Sequence, residues 1–230
     1  MLTVVCWQWR SERDYRPQYV NWLRRMVARH LHVPHRFVCI TDEVDGFDAG
    51  IDLMPVPKAA LAIADIRTLE AAGCSNFRRL WMFSREAAVL GERVLAMDVD
   101  NVVIADMTHL VRRTEPFVGW RPIVSWGNPE RITTGLYLMT PGCHPEVWET
   151  FSADGARAAH EAGFRGSDQA WVSYKLGSTV ALWSDDDGIR ALTDYEGPVP
   201  PPGTCVVQFA GCVKPWDIAG RGWVDEAIAC

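Results

Sequence analysis

No apolar run in the sequence approaches the roughly 20 residues of a membrane-spanning helix, and no basic-then-apolar pattern stands at its start. A spanning segment or secretory signal is therefore not expected, and the basic, apolar stretch from Trp22 to Leu31 reads as an amphipathic helix. Positive charge is not in excess either. Lysine and arginine number 23 against 29 aspartates and glutamates, a net charge of −6, so nothing draws the whole chain to nucleic acid or an anionic membrane. An anionic substrate would have to be held by local cations or a metal. The seven cysteines (Cys6, Cys39, Cys74, Cys143, Cys205, Cys212 and Cys230) are odd in number and contain no Cys-x-x-Cys pair. That disfavours a zinc site and a disulfide framework, and it predicts reduced, mostly buried thiols in the cytoplasm. The six histidines show no metal-ligand spacing, and internal repeats and low-complexity segments are absent.

What is present fits one large domain of 230 residues with 48% hydrophobic and 23% charged residues. Eleven tryptophans is a high count: some are expected to pack the core, but aromatic excess is also typical of sites that bind planar bases or sugars. The chain is organised around Val94 to Ile104, an apolar, largely β-branched run interrupted by Asp98 and Asp100. Such a run predicts a buried strand, on which alternate residues share a side, so both carboxylates are expected to point together. Two converging acids at the end of a buried strand repel one another and require a compensating cation. A hard divalent ion that also carries phosphate oxygens is the natural candidate. A lone Asp-x-Asp in which one acid caps a turn and the other is solvated would look the same in isolation.

Elsewhere the pattern predicts strands at Leu2–Trp7, Arg36–Thr41, Ile51–Val56, Phe117–Val118, Ile123–Trp126, Ile132–Met139 and Thr204–Phe209. Helices are predicted from Pro17 to Leu31 and over Ala59–Ala72, Phe77–Leu90, Pro145–Phe151 and Gln169–Tyr174, the last capped by Ser167 or Asp168. Asp154–Gly166 reads as a polar connection, Asp185–Gly188 as a turn, and Gly197–Gly203 as a proline-rich linker. Strands and helices alternate in the first half, and mixed elements fill the second. This order predicts a nucleotide-binding half, residues 1–106, and a substrate half, residues 107–230, fused around one sheet.

In this order the chain resembles the GT-A glycosyltransferases, most closely glycosyltransferase family 8. The resemblance spans nearly the full length and rests on five places: Trp7 with Tyr15 after the first strand, Arg79-Leu80, Asp98-Val99-Asp100, Asp168-Gln169, and Gln208-Phe209-Ala210-Gly211-Cys212-Val213-Lys214-Pro215-Trp216. The last string, close to the family's His-Phe-x-Gly-x-x-Lys-Pro-Trp, is the most specific. The resemblance implies an α/β fold, a single GT-A domain with a mixed central sheet flanked by helices. It implies that Trp7 and Tyr15 meet the base, that Arg79, Asp98, Gly211 and Lys214 serve the nucleotide diphosphate, and that Asp98, Asp100 and position 208 hold Mn²⁺ or Mg²⁺. Asp168 and Gln169 would lie beside the donor sugar, with Lys214 stabilising the leaving group, and Thr134 and Gly135 would face sugar or acceptor.

Two departures stand out. Gln208 replaces the family's metal-binding histidine, offering a neutral carbonyl oxygen that hard cations accept. Thr133-Thr134-Gly135 stands where the family usually has Asn-Ala/Ser-Gly, which makes Thr134 the candidate substitute donor. The implied reaction is sugar transfer from a nucleoside-diphosphate sugar, a uridine diphosphate sugar first, to the hydroxyl of a glycan, lipid-linked or small-molecule acceptor, with retention of configuration. Peripheral membrane attachment through Arg24, Arg25 and Arg29 is compatible with it. Two rivals remain at this point. A haloacid-dehalogenase-like phosphatase also uses an apolar strand ending in Asp-x-Asp, with Asp185 and Asp186 as distal acids. A degenerate transferase that binds nucleotide or glycan without turnover is suggested by Gln208.

Overall fold

Strand β1 (Leu2–Gln8) is buried along its whole length, and its residues alternate between two cores. Leu2, Val4 and Cys6 face one apolar cluster while Val5 and Trp7 face the other, so the strand reads as a continuous apolar run. The computed structural model describes residues 1–10, 15–63, 66, 76–123, 131–209, 211, 213–218 and 222–229. After β1, helix α1 (Pro17–His30) buries Tyr19, Val20, Leu23, Met26 and Val27, the stripe its spacing predicts. Strands β2 (His35–Thr41) and β3 (Ile51–Pro55) follow, then the short helix α2 (Lys58–Ala62). The end of the helix predicted over Ala59–Ala72 lies largely outside the described residues.

Strand β4 (Arg93–Met97) continues the parallel set, pairing with β1 as β2 does on the other side. Strands β6 (Phe117–Trp120) and β7 (Thr133–Met139) complete most of the main sheet. Between β4 and β6 lies the two-residue β5 (Val102–Val103). Helices α3 (Pro145–Glu149), α4 (Ala153–Glu161) and α5 (Asp168–Leu176) come next. The chain ends through β8 (Ala181–Leu182), β9 (Ile189–Ala191), β10 (Val206–Gln208) and α6 (Gly222–Ile228). The seven-stranded sheet runs β3-β2-β1-β4-β7-β6-β8, with β7 antiparallel to both β4 and β6. A small second sheet, β5-β10-β9, packs against the α1 side. No helix among the described residues is long and apolar enough to cross a membrane.

Three expectations are corrected. The helix predicted over Phe77–Leu90 is two 3₁₀ stretches, Asn76–Phe83 and Arg85–Leu90, separated at the extended Ser84. Its buried Phe77, Leu80 and Phe83 recur every three residues, the period of the tighter helix rather than 3.6. The run Val94–Ile104 is not one strand: β4 stops at Met97, residues 98–101 turn, and β5 joins the other sheet. The connection Asp154–Gly166 contains a helix, α4, whose cap Ser152 accepts a hydrogen bond from the Gly155 amide at 3.0 Å. Helix α6 had no sequence expectation at all. In the strand predicted over Ile123–Trp126, Ile123 lies outside any strand and 124–126 lie outside the described residues.

Candidate active site

The carboxyl ends of the parallel strands β1 and β4 and the start of the antiparallel β7 come together at one end of the central strands of the main sheet. Such a change of direction in an α/β sheet opens a crevice. Here it is a cleft of about 370 Å³ lined by Tyr15, Arg79, Asp98, Asp100, Thr134, Gly135, Asp168, Gln169, Gln208, Gly211 and Lys214. These are eleven of the twelve site residues read from the sequence.

The two acids of the Asp-x-Asp reach the cleft from a turn, not from alternate positions of a strand. The Asp98 amide donates to the Gly135 carbonyl at 2.8 Å, and the Asn101 amide closes the turn on the Asp98 carbonyl at 3.1 Å. The buried Asn101 side chain then donates to the carbonyls of Asp98 (3.1 Å) and Gly135 (2.7 Å), tying the turn to β7. Asn101 was not singled out in the sequence, although a buried amide directly after two acids is a turn-capping signal.

Each acid has its own cation. Arg79 forms an ion pair with Asp98 and also grips the buried Asp168 carboxylate, with Nε at 2.8 Å and Nη2 at 2.7 Å. Its Nη2 further donates to Thr134 Oγ1 at 3.1 Å, so one guanidinium fork joins the turn, β7 and the start of α5. Burial works against its charge, but Asp168 and Asp98 outweigh burial and hold the guanidinium firmly protonated. Lys214 pairs with Asp100, and there too the carboxylate overcomes burial and raises the lysine above its ordinary value. Tyr15 Oη lies 3.4 Å from Asp100 Oδ2. Burial and the Asp100 charge push its phenol up to about 12, so it stays a donor. Asp98 itself is pushed up to about 6 by burial, with Asp100 and Asp168 adding to the push and Arg79 opposing it. Its side chain is still 36% exposed to the cleft.

Gly135 and Gly211 are glycines for different reasons. A Cβ on Gly135 would stand 2.8 Å from Gln208 Oε1, and 3.4 Å from Asp98 Oδ2, so the missing side chain is what lets the Gln208 oxygen approach. A Cβ on Gly211 would meet nothing, but φ is +69°, which only glycine adopts without strain. Among the described residues the buried Gln208 has no hydrogen-bond partner for Nε2, while its oxygen faces Gly135. An oxygen-only set from Asp98, Asp100 and Gln208 fits a hard divalent cation. No cluster of three His, Cys, Asp or Glu side chains that could hold a metal occurs among the described residues.

Trp7 is the residue the structure does not bring to the cleft. It lies on the β1 face shared with Val5 and packs edge-on against Trp9 and Trp81, both at 6.4 Å. Alternation along a doubly buried strand, not proximity in sequence, decides this. Ser167 takes the cap position of α5, and its hydroxyl donates to Asp168 Oδ1 at 2.9 Å instead of capping a backbone amide. Beyond the residues read from the sequence, Arg165 and Phe209 line the cleft. Gln8, at the end of β1, holds the Tyr15 carbonyl through Nε2 at 3.0 Å.

No protein-family profile and no curated protein sequence matches the chain. Solved structures do. The chain is similar to the galactosyltransferase LgtC in complex with donor and acceptor sugar analogues, with a TM-score of 0.68, 14% identity, and coverage of 99% of this chain and 95% of that one. It is also similar to the glycosyltransferase GlyE of Streptococcus pneumoniae TIGR4 (TM-score 0.66, 14% identity, 100% of this chain and 61% of that one). A third is the bifunctional glycosyltransferase WbbM (0.63, 16% identity, 99% and 49%). The chain thus spans nearly all of LgtC but less than two thirds of GlyE and of WbbM. The class these observations define is a mixed α/β fold with its cleft at the carboxyl ends of parallel strands. In particular, it is the GT-A fold of these glycosyltransferases.

Proposed function

We propose that this chain is a metal-dependent glycosyltransferase that moves a sugar from a nucleoside-diphosphate sugar, with uridine diphosphate the expected carrier, to an acceptor hydroxyl. The observation that carries this reading is the convergence of Asp98, Asp100, Gln208, Arg79, Lys214 and Asp168 in one cleft of a GT-A fold. Asp98, Asp100 and Gln208 would hold Mn²⁺ or Mg²⁺, which when bound neutralises diphosphate charge and eases departure of the leaving group. Lys214 supplies a second, protein-borne charge to that anion, and Gly211 brings backbone close to it. Arg79 orients Asp98 and Asp168 together, and Asp168 with Gln169 stands beside the place of the donor sugar. Tyr15, at the mouth of the cleft, serves the nucleotide.

Retention of configuration is what the family resemblance implies, and a front-face departure would need no side chain committed as nucleophile. The acceptor is a glycan, a lipid-linked sugar or a small molecule, and the work is done in the cytoplasm. The phosphatase reading loses its distal acids: Asp185 pairs with the partly exposed Arg121 at 3.0 Å and is not part of the cleft.

The test is thermal unfolding against a panel of nucleoside diphosphates and sugar nucleotides, each with and without Mn²⁺. Ligand at 100 times its dissociation constant adds about 2.7 kcal/mol, which corresponds to a rise of about 5–10 °C in a domain of this size. A rise with one nucleotide that requires metal and vanishes in Asp100→Ala is the expected result. No rise with any nucleotide, in folded protein, overturns the reading. Metal-dependent binding with no turnover of any sugar nucleotide would leave the non-catalytic binder that Gln208 suggests.

A further inference from the structure

The two cations that neutralise Asp98 and Asp100 are not held alike. Arg79 is fixed by partners outside the acid pair: two bonds to the buried Asp168 and one to Thr134. Its place would survive the arrival of another cation at Asp98. Lys214 reaches Asp100 on a flexible four-carbon stem, from the segment that follows the left-handed Gly211. The two side chains are only 12% and 7% exposed, so water does little to screen them. On the same Asp100 oxygen lies the Tyr15 hydroxyl at 3.4 Å. Asp100 Oδ2 therefore already carries a full positive charge and a hydroxyl donor. A divalent ion cannot share that oxygen with a buried ammonium without strong repulsion.

We propose that Lys214 is a resident counter-cation that keeps the place of the metal at Asp100 until a diphosphate draws it away, so that the cleft takes a divalent cation and a diphosphate as a pair and takes the metal alone poorly. This rests on the functional reading above and adds an energetic rule to it. The diphosphate gives the ammonium a new anion, which frees Asp100. The freed carboxylate binds metal, and the metal in turn binds the diphosphate. By linkage, the factor by which nucleotide tightens metal equals the factor by which metal tightens nucleotide. Gln208 sharpens the effect, because a neutral amide adds no charge with which to compete against Lys214.

The experiment is a titration of Mn²⁺ into purified protein, followed by the paramagnetic signal of the free ion, in wild type, Lys214→Met and Lys214→Arg. It is repeated with uridine diphosphate, or whichever nucleoside diphosphate raised the melting temperature. Wild type is expected to bind Mn²⁺ alone weakly and at least about fivefold more tightly with nucleotide, within the usual range of coupling between sites. Lys214→Met is expected to bind Mn²⁺ alone about tenfold more tightly than wild type while losing most of the nucleotide's effect. Lys214→Arg, which keeps the cation, is expected to stay near wild type for metal alone. Equal or weaker binding of Mn²⁺ alone by Lys214→Met overturns the proposal. So does a coupling factor of one in wild type, a measurement that needs no variant to fold. If wild type binds the pair but Lys214→Met gains nothing, this proposal fails and the functional reading stands. If no nucleotide binds with metal, both fall.

Discussion

Gly135 has no side chain where the Gln208 oxygen needs the room. In Gly135→Ala the new methyl would stand 2.8 Å from Gln208 Oε1, so the amide must shift from its place. The fold is expected to survive, because the far end of a flexible side chain can yield, while metal-dependent nucleotide binding weakens by about tenfold, or about 1.4 kcal/mol. Calorimetry with and without Mn²⁺ checks this, and unchanged binding would remove Gln208 from the proposed metal set. Arg79 carries more structure. Truncation in Arg79→Met leaves Asp168, 2% exposed, with an uncompensated buried charge, at a cost of about 3 kcal/mol. Arg79→Lys keeps the charge but loses the fork and should fall between the two in urea unfolding. The thiols offer a check on burial. Cys143 and Cys205 are both pushed up to about 11, by burial first, so at neutral pH neither is a thiolate. Alkylation followed by mass spectrometry should label them many-fold more slowly in native than in unfolded protein, and the rate should climb as pH rises toward 11. Fast native labelling at pH 7 would contradict the packing.

At the scale of elements, the turn of residues 98–101 shows both what the sequence reveals and where it stops. The apolar run made β4 legible, and the two acids marked the cleft. The end of the strand at Met97 was not legible, because it depends on β7 meeting Asp98 and Asn101 through the Gly135 carbonyl, a partner 34 residues away. Asn101→Ala tests that clasp. Both carbonyls keep a backbone donor when the amide is removed, so no buried group is orphaned and the loss should be only about 1–1.5 kcal/mol. Metal-dependent nucleotide affinity is expected to drop by more than that loss of stability would explain, since the turn sets the spacing of the acids. Helix α4 gives the contrasting case. Its alanine- and glycine-rich composition hid it, yet Ser152 caps it, and Ser152→Ala should cost about 1 kcal/mol with nucleotide binding unchanged. The 3₁₀ stretch Asn76–Phe83 was hidden for another reason: an apolar repeat of three differs from one of 3.6 only over several turns. Its consequence is local, for it sets the backbone that carries Arg79 into the cleft.

Across the whole molecule, the cleft is closed by chain that returns from the far end of the sequence. After β10 delivers Gln208, the segment bearing Lys214 passes back to α1, where the Trp216 ring stacks on Tyr19 at 3.7 Å and 4° and meets Tyr15 edge-on at 5.5 Å. The motif string Lys214-Pro215-Trp216 was legible in the sequence, but its docking surface was not, since Tyr19 reads there only as one more residue of an apolar helix face. The geometry makes Trp216 a fastener: it sets where Lys214 can stand by anchoring the segment on the first helix, the partner of the first strand. Half-buried and stacked, it should cost about 2 kcal/mol in Trp216→Ala, less than the 3–5 typical of a fully buried tryptophan, a fall of about 4–8 °C in melting temperature. The informative readout is where the loss appears. Hydrogen exchange should quicken in the peptide covering 213–218 while β1 and β4 keep their protection, because each of those strands is hydrogen-bonded on both sides within the main sheet and Trp216 only flanks the core they share. Metal-dependent nucleotide affinity should fall with it, and Trp216→Phe, which can still stack, should restore most of both. A variant that melts earlier but binds the metal–nucleotide pair as wild type does would mean that Lys214 finds its place without this anchor, and that the terminal motif acts through its lysine alone.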